Sequence, residues 1–235
     1  MQGNHKQSRT MTNLSNKRVL VTQADAFMGP VLCEVLSEYG AQLIADSSAL
    51  VDLSAAAKVV EAAGQVDVLV VNLALPAPST LAIDVTEQEW RNTFAALVDP
   101  LPRLCRAVLP AMIARGGGKI LLMGSASALK GMKRASSYSA ARGAQIAYIQ
   151  ALGIELAGQN IQVNAIAQNF VENPTYFPPE VQANPRFQER LKREVPLGRL
   201  VTAREDAEFA AFLCSDAASH FVGQVFPLCG GWVTR

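Results

Sequence analysis

Ser125, Tyr138 and Arg142 stand in the pattern Ser-x12-Tyr-x3-Arg, and together these residue types could move a proton. Tyr138 and Arg142 are i and i+4 on a stretch that reads as helix, so they share a face and are neighbours. Ser125 follows the strand-like run Lys119-Ile-Leu-Leu-Met123, at a strand end where α/β sheets build their sites. A guanidinium beside a phenol favours the phenolate. Arginine keeps its own proton at working pH, so Tyr138 is the expected general base and Arg142 its stabiliser.

Composition closes most other routes. The chain has 235 residues and only two histidines, His5 and His220, which leaves no serine–histidine triad and no histidine-rich metal site. Cys33, Cys105, Cys214 and Cys229 lie far apart with no C-x-x-C, against zinc ribbons and dithiol redox motifs. Lys+Arg number 21 and Asp+Glu 20, a balance of +1 that points to no nucleic-acid partner. No apolar run is long enough to span a bilayer. Hydrophobic residues at 50% and charged residues at 17% supply a large core. The expectation is a cytoplasmic enzyme with no metal, no nucleic acid and no membrane partner.

The elements that must position these residues alternate. Residues 18–22, 42–46, 66–72, 119–123, 161–166 and 222–228 read as strands. Between them lie helices, at 29–39, from a capping box at Thr86-x-x-Glu89 through to Arg115, at 137–158, and after a second capping box at Thr202-x-x-Glu205. A loop-rich stretch covers 167–184. This order predicts a single-domain α/β fold over 18–235, a Rossmann-like doubly wound parallel sheet flanked by helices. Residues 1–17 read as a polar, disordered leader. Between Asp46 and Val66 there is room for a short strand near Leu50–Leu53 and one helix, so the adenosine side of such a fold looks trimmed.

The first strand-to-helix turn normally carries three glycines that let the backbone approach a pyrophosphate. Here it reads Thr22-Gln-Ala-Asp-Ala-Phe-Met-Gly29, and only Gly29 remains, with Gln23 and Phe27 at the other two places. A benzyl group at Phe27 fills space that a dinucleotide needs, unless it merely plugs core beside the turn.

The Ser-Tyr-basic spacing resembles the short-chain dehydrogenase/reductase family, in which the basic residue is lysine. Thr22-x4-Phe27-x-Gly29 together with Ser125-x12-Tyr138-x3-Arg142 resembles the halohydrin dehalogenases, cofactor-free relatives of that family. The resemblance runs from Arg18 to about Gly231. Leu97 and Cys229 stand where the dehydrogenases usually have an asparagine and an acidic residue. The resemblance implies conversion of vicinal haloalcohols to epoxides with release of halide and a proton, and the reverse opening of epoxides by halide, azide, cyanide or nitrite. It implies no nicotinamide cofactor and a homotetramer packed through long helices. Catalysis falls to Ser125, Tyr138 and Arg142. The halide and substrate pocket falls to Phe27, Pro76, Gln168, Asn169, Phe170, Val171, Tyr176 and Phe177, with Gln168, Asn169 and the backbone at 170–171 offering N–H donors. Gln168 departs from the proline usual in those relatives. The loop also reads as a plain substrate lid. Two other readings stay open, an NAD(P)-dependent oxidoreductase with a degenerate turn and a non-catalytic scaffold.

Overall fold

The computed structural model describes residues 12–234. Six parallel strands, β1 (Arg18–Thr22), β2 (Gln42–Asp46), β3 (Val68–Asn72), β4 (Gly118–Ser125), β5 (Ile161–Gln168) and β6 (Val225–Leu228), form one sheet in the order β2-β1-β3-β4-β5-β6. The single α/β domain expected from the sequence is therefore present. Period-two alternation divides each central strand between two cores. Leu20, Leu69, Val71, Ile120 and Leu122 face α2 (Ala55–Ala63), α4 (Pro100–Arg115) and α6 (Ser136–Leu156). Val19, Val21, Val68, Val70, Leu121 and Met123 face α1 (Gly29–Glu38) and α9 (Ala203–Cys214). Each fully buried Leu or Val contributes about 1.5–3 kcal/mol, so a sheet covered on both faces needs the apolar strands seen here.

Several expected boundaries shift for physical reasons. No strand forms at Leu50–Leu53: Leu50 is buried, but Val51 and Leu53 are exposed and have no partner strand. The sheet ends at β2, and the crossover to β3 holds only α2. The helical stretch from Thr86 to Arg115 divides into α3 (Glu87–Leu97) and α4, because Pro100 cannot continue the preceding hydrogen-bond ladder and instead opens a new helix. The expected loop-rich stretch, 167–184, holds one short helix, α7 (Pro179–Gln182); just beyond it α8 (Pro185–Glu194) starts at the Asn184 cap, and short α5 (Ser127–Lys130) follows β4. Of the expected leader, residues 1–11 lie outside the described residues. Its later part is packed, not disordered: Leu14 is fully buried, and Lys17 pairs with Asp216 at 2.7 Å.

The Thr86 cap is one-sided. Thr86 accepts from the Glu89 N–H, but the Glu89 carboxylate accepts from Ser137 Oγ at 2.6 Å instead of closing a capping box. That bond ties α3 to the first turn of α6, one residue before Tyr138. Thr202 and Glu205 do form the full box at the start of α9.

Gly29 packs α1 against the turn before it. A Cβ at Gly29 would lie 2.4 Å from the Ala24 carbonyl oxygen. Gly29→Ala is expected to lower stability by about 3 kcal/mol, since backbone on both sides must move. Gly143→Ala on α6, where a Cβ meets nothing within 4 Å, should raise it by about 0.5 kcal/mol. Denaturant unfolding of the two variants checks the contrast.

Candidate active site

The register of the central strands brings the site together. Ser125 is the last residue of β4 and pairs across to Gln168, the last residue of β5, which pairs in turn to Leu228 on β6. Beside these strand ends is a cavity of about 270 Å³. Ser125, Tyr138 and Arg142 all line it, as do Phe27, Gln168, Asn169, Phe170, Val171, Tyr176 and Phe177. Pro76 does not line it: Pro76 is exposed at the surface, and its neighbour Ala77 takes that wall.

Tyr138 and Arg142 are both 5% exposed, on successive turns of α6. The guanidinium carbon of Arg142 lies 5.1 Å from the Tyr138 ring centre. Three oxygens fix the guanidinium: Leu73 O at 3.1 Å, Met123 O at 3.4 Å and Gln145 Oε1 at 3.0 Å. Its Nε has no partner, and among the described residues no carboxylate pairs with it. A buried cation anchored only by neutral oxygens favours an anion in the space it faces. Gln145 passes the restraint on, donating to the carbonyl of fully buried Leu97 on α3. Ser125 Oγ accepts from the Ser127 N–H at 3.2 Å and shares a hydrogen bond with Ser127 Oγ at 2.9 Å.

The turn after β1 retains a glycine-type backbone without the glycines. Gln23 has φ +45° and Phe27 φ +49°, both left-handed, as is Phe170 at +53°. Such conformations cost about 1–3 kcal/mol in a non-glycine residue and persist where surrounding bonds impose them. Asn72 imposes the first two: its side-chain amide donates to Gln23 O and Ala26 O, both at 2.9 Å. The Gln23 side chain turns back to accept from the Ala74 N–H at 2.6 Å. Phe27 therefore extends into the cavity, edge-on to Tyr176 with centroids 5.3 Å apart.

The loop after β5 closes the other wall. Asn173 Oδ1 accepts from the N–H groups of Thr175 and Tyr176, which sets the ring of Tyr176 against the strand ends. The Tyr176 hydroxyl accepts from the Ala77 N–H at 2.6 Å and donates to Leu75 O at 3.4 Å. Burial first, and then the neighbouring Tyr138 oxygen, push Tyr176 up to about 12, so Tyr176 stays protonated at working pH.

The expected N–H donors are only partly available. Asn169 N–H is used by Leu228 O, and Phe170 N–H by the side-chain oxygen of Asn169. That second bond leaves the Asn169 amide NH2, and the Val171 N–H, without partners among the described residues. The Phe170 ring packs into a small core with Phe187, Leu191, Val195 and Leu200.

Five lining or supporting residues escape reasoning from motifs. Gln145 stands i+3 from Arg142, a polar residue on an otherwise apolar face, which is a usable signal. Met132, Asn173, Arg190 and Trp232 reach the cavity from separate segments and carry no local signature. The lining holds two arginines, Arg142 and Arg190, and no aspartate or glutamate. A fully buried carboxyl, Asp206 on α9, sits one layer behind, accepting from Gln168 Nε2. Burial pushes Asp206 up to about 7, against the pull of the Gln168 amide. In the unfolded chain it loses its proton near pH 4. The folded state thus binds the extra proton between about pH 4 and 7, and stability falls as pH rises through that window. Asp206→Asn should abolish that fall, about 3 kcal/mol between pH 4.5 and 8 in denaturant titrations.

Among the described residues, no helix is long and apolar enough to cross a membrane, and no group of three metal-binding side chains forms.

The family described as enoyl-(acyl carrier protein) reductase matches residues 18–233. The 2-keto-3-deoxy-L-fuconate dehydrogenase of Xanthomonas campestris pv. campestris is 31% identical over 246 residues, covering 94% of this chain and 81% of its own length. The galactitol 2-dehydrogenase (L-tagatose-forming) of Cereibacter sphaeroides is 32% identical, covering 91% of this chain and 84% of its own. A solved structure described as a dehalogenation enzyme matches with TM-score 0.87 and 31% identity over 93% of this chain and 99% of that one. L-Sorbose reductase from Gluconobacter frateurii, at TM-score 0.88 and 22% identity, shares the fold.

Proposed function

Because the chain belongs to the short-chain dehydrogenase/reductase family, we propose that it uses that family's Ser–Tyr–basic proton site for a reaction without hydride transfer, the interconversion of vicinal haloalcohols and epoxides. One observation carries the reading. Phe27 lines the same cavity as Ser125, Tyr138 and Arg142, from the turn position that must be open for a pyrophosphate. The likeness to the dehalogenation enzyme, at nearly full coverage of both chains, supports it.

The residues of this chain do not fit a nicotinamide dinucleotide. The Phe27 ring and the inward-folded Gln23 side chain crowd the turn where phosphates approach backbone, and among the described residues no strand lies beyond β2 on the adenosine side.

Each part of the haloalcohol reaction then has an atom to perform it. Ser125 Oγ and the Tyr138 oxygen hold the substrate hydroxyl. Tyr138, as phenolate beside the Arg142 guanidinium, takes the hydroxyl proton. The alkoxide attacks the adjacent carbon from the back; the C–O bond forms as the C–halogen bond breaks, and its electron pair leaves as halide. Attack within one molecule needs orientation more than force, and a cavity of this size supplies it. The leaving halide meets the Asn169 NH2, the Val171 N–H and the ring edges of Phe27 and Tyr176, in a lining where Arg190 is paired with Glu194 and Arg142 has no carboxylate partner among the described residues. The proton passes from Tyr138 to solvent.

A redox reading keeps one observation in its favour. Asp46 ends β2, where dinucleotide folds hold a ribose, but here it accepts from the Ser48 N–H and hydroxyl at 3.0 Å each. Incubation with epichlorohydrin and azide, with no nicotinamide present, tests the proposal. Azidoalcohol should form at an enzyme-dependent rate. No product, together with saturable NADH or NADPH binding, would favour the oxidoreductase.

A further inference from the structure

Half-buried Gln168 and fully buried Asp206 form a hydrogen-bonded pair that the reaction above does not use. Gln168 lines the cavity and ends β5, while Asp206 is wholly buried on α9 behind it. Gln168 Nε2 donates to Asp206 Oδ2 at 2.5 Å, and Asp206 Oδ1 has no partner among the described residues. A carboxylate so placed makes one hydrogen bond where it can accept several, a costly arrangement that protonation relieves.

We propose that Asp206 is a positioning residue whose proton sets which end of the Gln168 amide faces the cavity, and thereby how tightly the cavity holds an anion. The proposal rests on the cavity being an anion site. An ionised carboxylate only accepts, so it holds the amide by its NH2, and the amide oxygen is the end left for the cavity. That oxygen opposes an anion. A protonated Asp206 can donate to the amide oxygen, and the NH2 then turns to the cavity as a donor. No bond other than hydrogen bonds changes, and the proton comes from solvent.

The titratable residues on α9 and on the elements near it leave this proton to burial and to Gln168. On α1 stand Cys33, Glu34 and Glu38; on α9 itself Arg204, Glu205, Glu208 and Cys214; on β4 Lys119; in the turn after α9 Asp216; and after β5 Glu172. Glu38 and Glu208 are held by Arg204, Glu205 by Arg199, Asp216 by Lys17 and Lys119 by Gln162. Among the described residues none of them hydrogen-bonds or ion-pairs with Asp206, and burial pushes its carboxyl up to about 7.

Bromide binding, read without turnover, tests the proposal. Trp232 lines the cavity, so the saturable part of its fluorescence quenching by bromide reports occupancy. In the unaltered protein the bromide Kd should rise about tenfold from pH 5.5 to 8.5, the worth of one hydrogen bond to an anion. Asp206→Asn, close in size, should flatten the profile, and so should Gln168→Leu, which removes the amide and leaves the carboxyl. A flat profile in the unaltered protein, no saturable bromide binding at any pH, or a profile that survives in either variant overturns the proposal. Flat binding in a protein that does release halide from haloalcohols removes this pair and leaves the proposed reaction. A pH-dependent Kd in a protein that releases none removes the reaction and leaves the pair.

Discussion

Tyr138→Phe should lower kcat for halide release by on the order of a thousandfold, with little change in stability. The substitution deletes one oxygen and nothing else. The ring stays in its 5%-exposed slot on α6 and keeps its place beside the Arg142 guanidinium at 5.1 Å. Ser125 remains to hold the substrate hydroxyl, so KM should move far less than kcat. Tyr176 cannot replace the lost base, because burial keeps its proton on to about pH 12. Steady-state chloride release at pH 8, beside a denaturant titration, checks both halves. Activity within a few fold of the unaltered protein would take proton transfer away from Tyr138.

The second large effect falls on Arg142, where charge and structure are both at stake. Arg142→Met is expected to cost at least a hundredfold in kcat and about 2 kcal/mol in stability. The rate falls because the phenolate loses its counter-charge. Stability falls because Leu73 O, Met123 O and Gln145 Oε1 each lose a buried donor. Relief from burying an unpaired cation offsets part of that loss. Arg142→Lys keeps the charge but not the planar array of donors, so it should recover part of the rate. A lysine variant as slow as the methionine variant would show that geometry, not charge, is what Arg142 supplies.

Much of this was legible in the residues because both period and spacing are local. Short, β-rich apolar runs located all six strands. The i, i+4 relation of Tyr138 and Arg142 placed two side chains on one face of α6, and Phe27 stood out because a glycine belongs there. What escaped the sequence depends on distant segments. Asp206 reads as an ordinary acid in the first turn of α9, favourable to the helix dipole, and only the fold puts Gln168 against it. The backbone donors near Asn169 looked free until β6 and the Asn169 side chain claimed two of them. Leu50–Leu53 looked like a strand because β-propensity is local, whereas a strand needs a neighbour to pair with. The opposite error occurred at α8, whose signals were present in Asn184-Pro185 and the Phe187, Leu191 stripe.

The proposed reaction needs a proton site that works without hydride transfer. Its most direct test is to supply 1,3-dichloro-2-propanol to the purified protein with no nicotinamide, and to follow chloride and acid release together. Chloride and protons should appear in equal amounts, with epichlorohydrin as the product and no release by Tyr138→Phe. Absence of chloride release, or release that begins only when NAD or NADP is added, would contradict it.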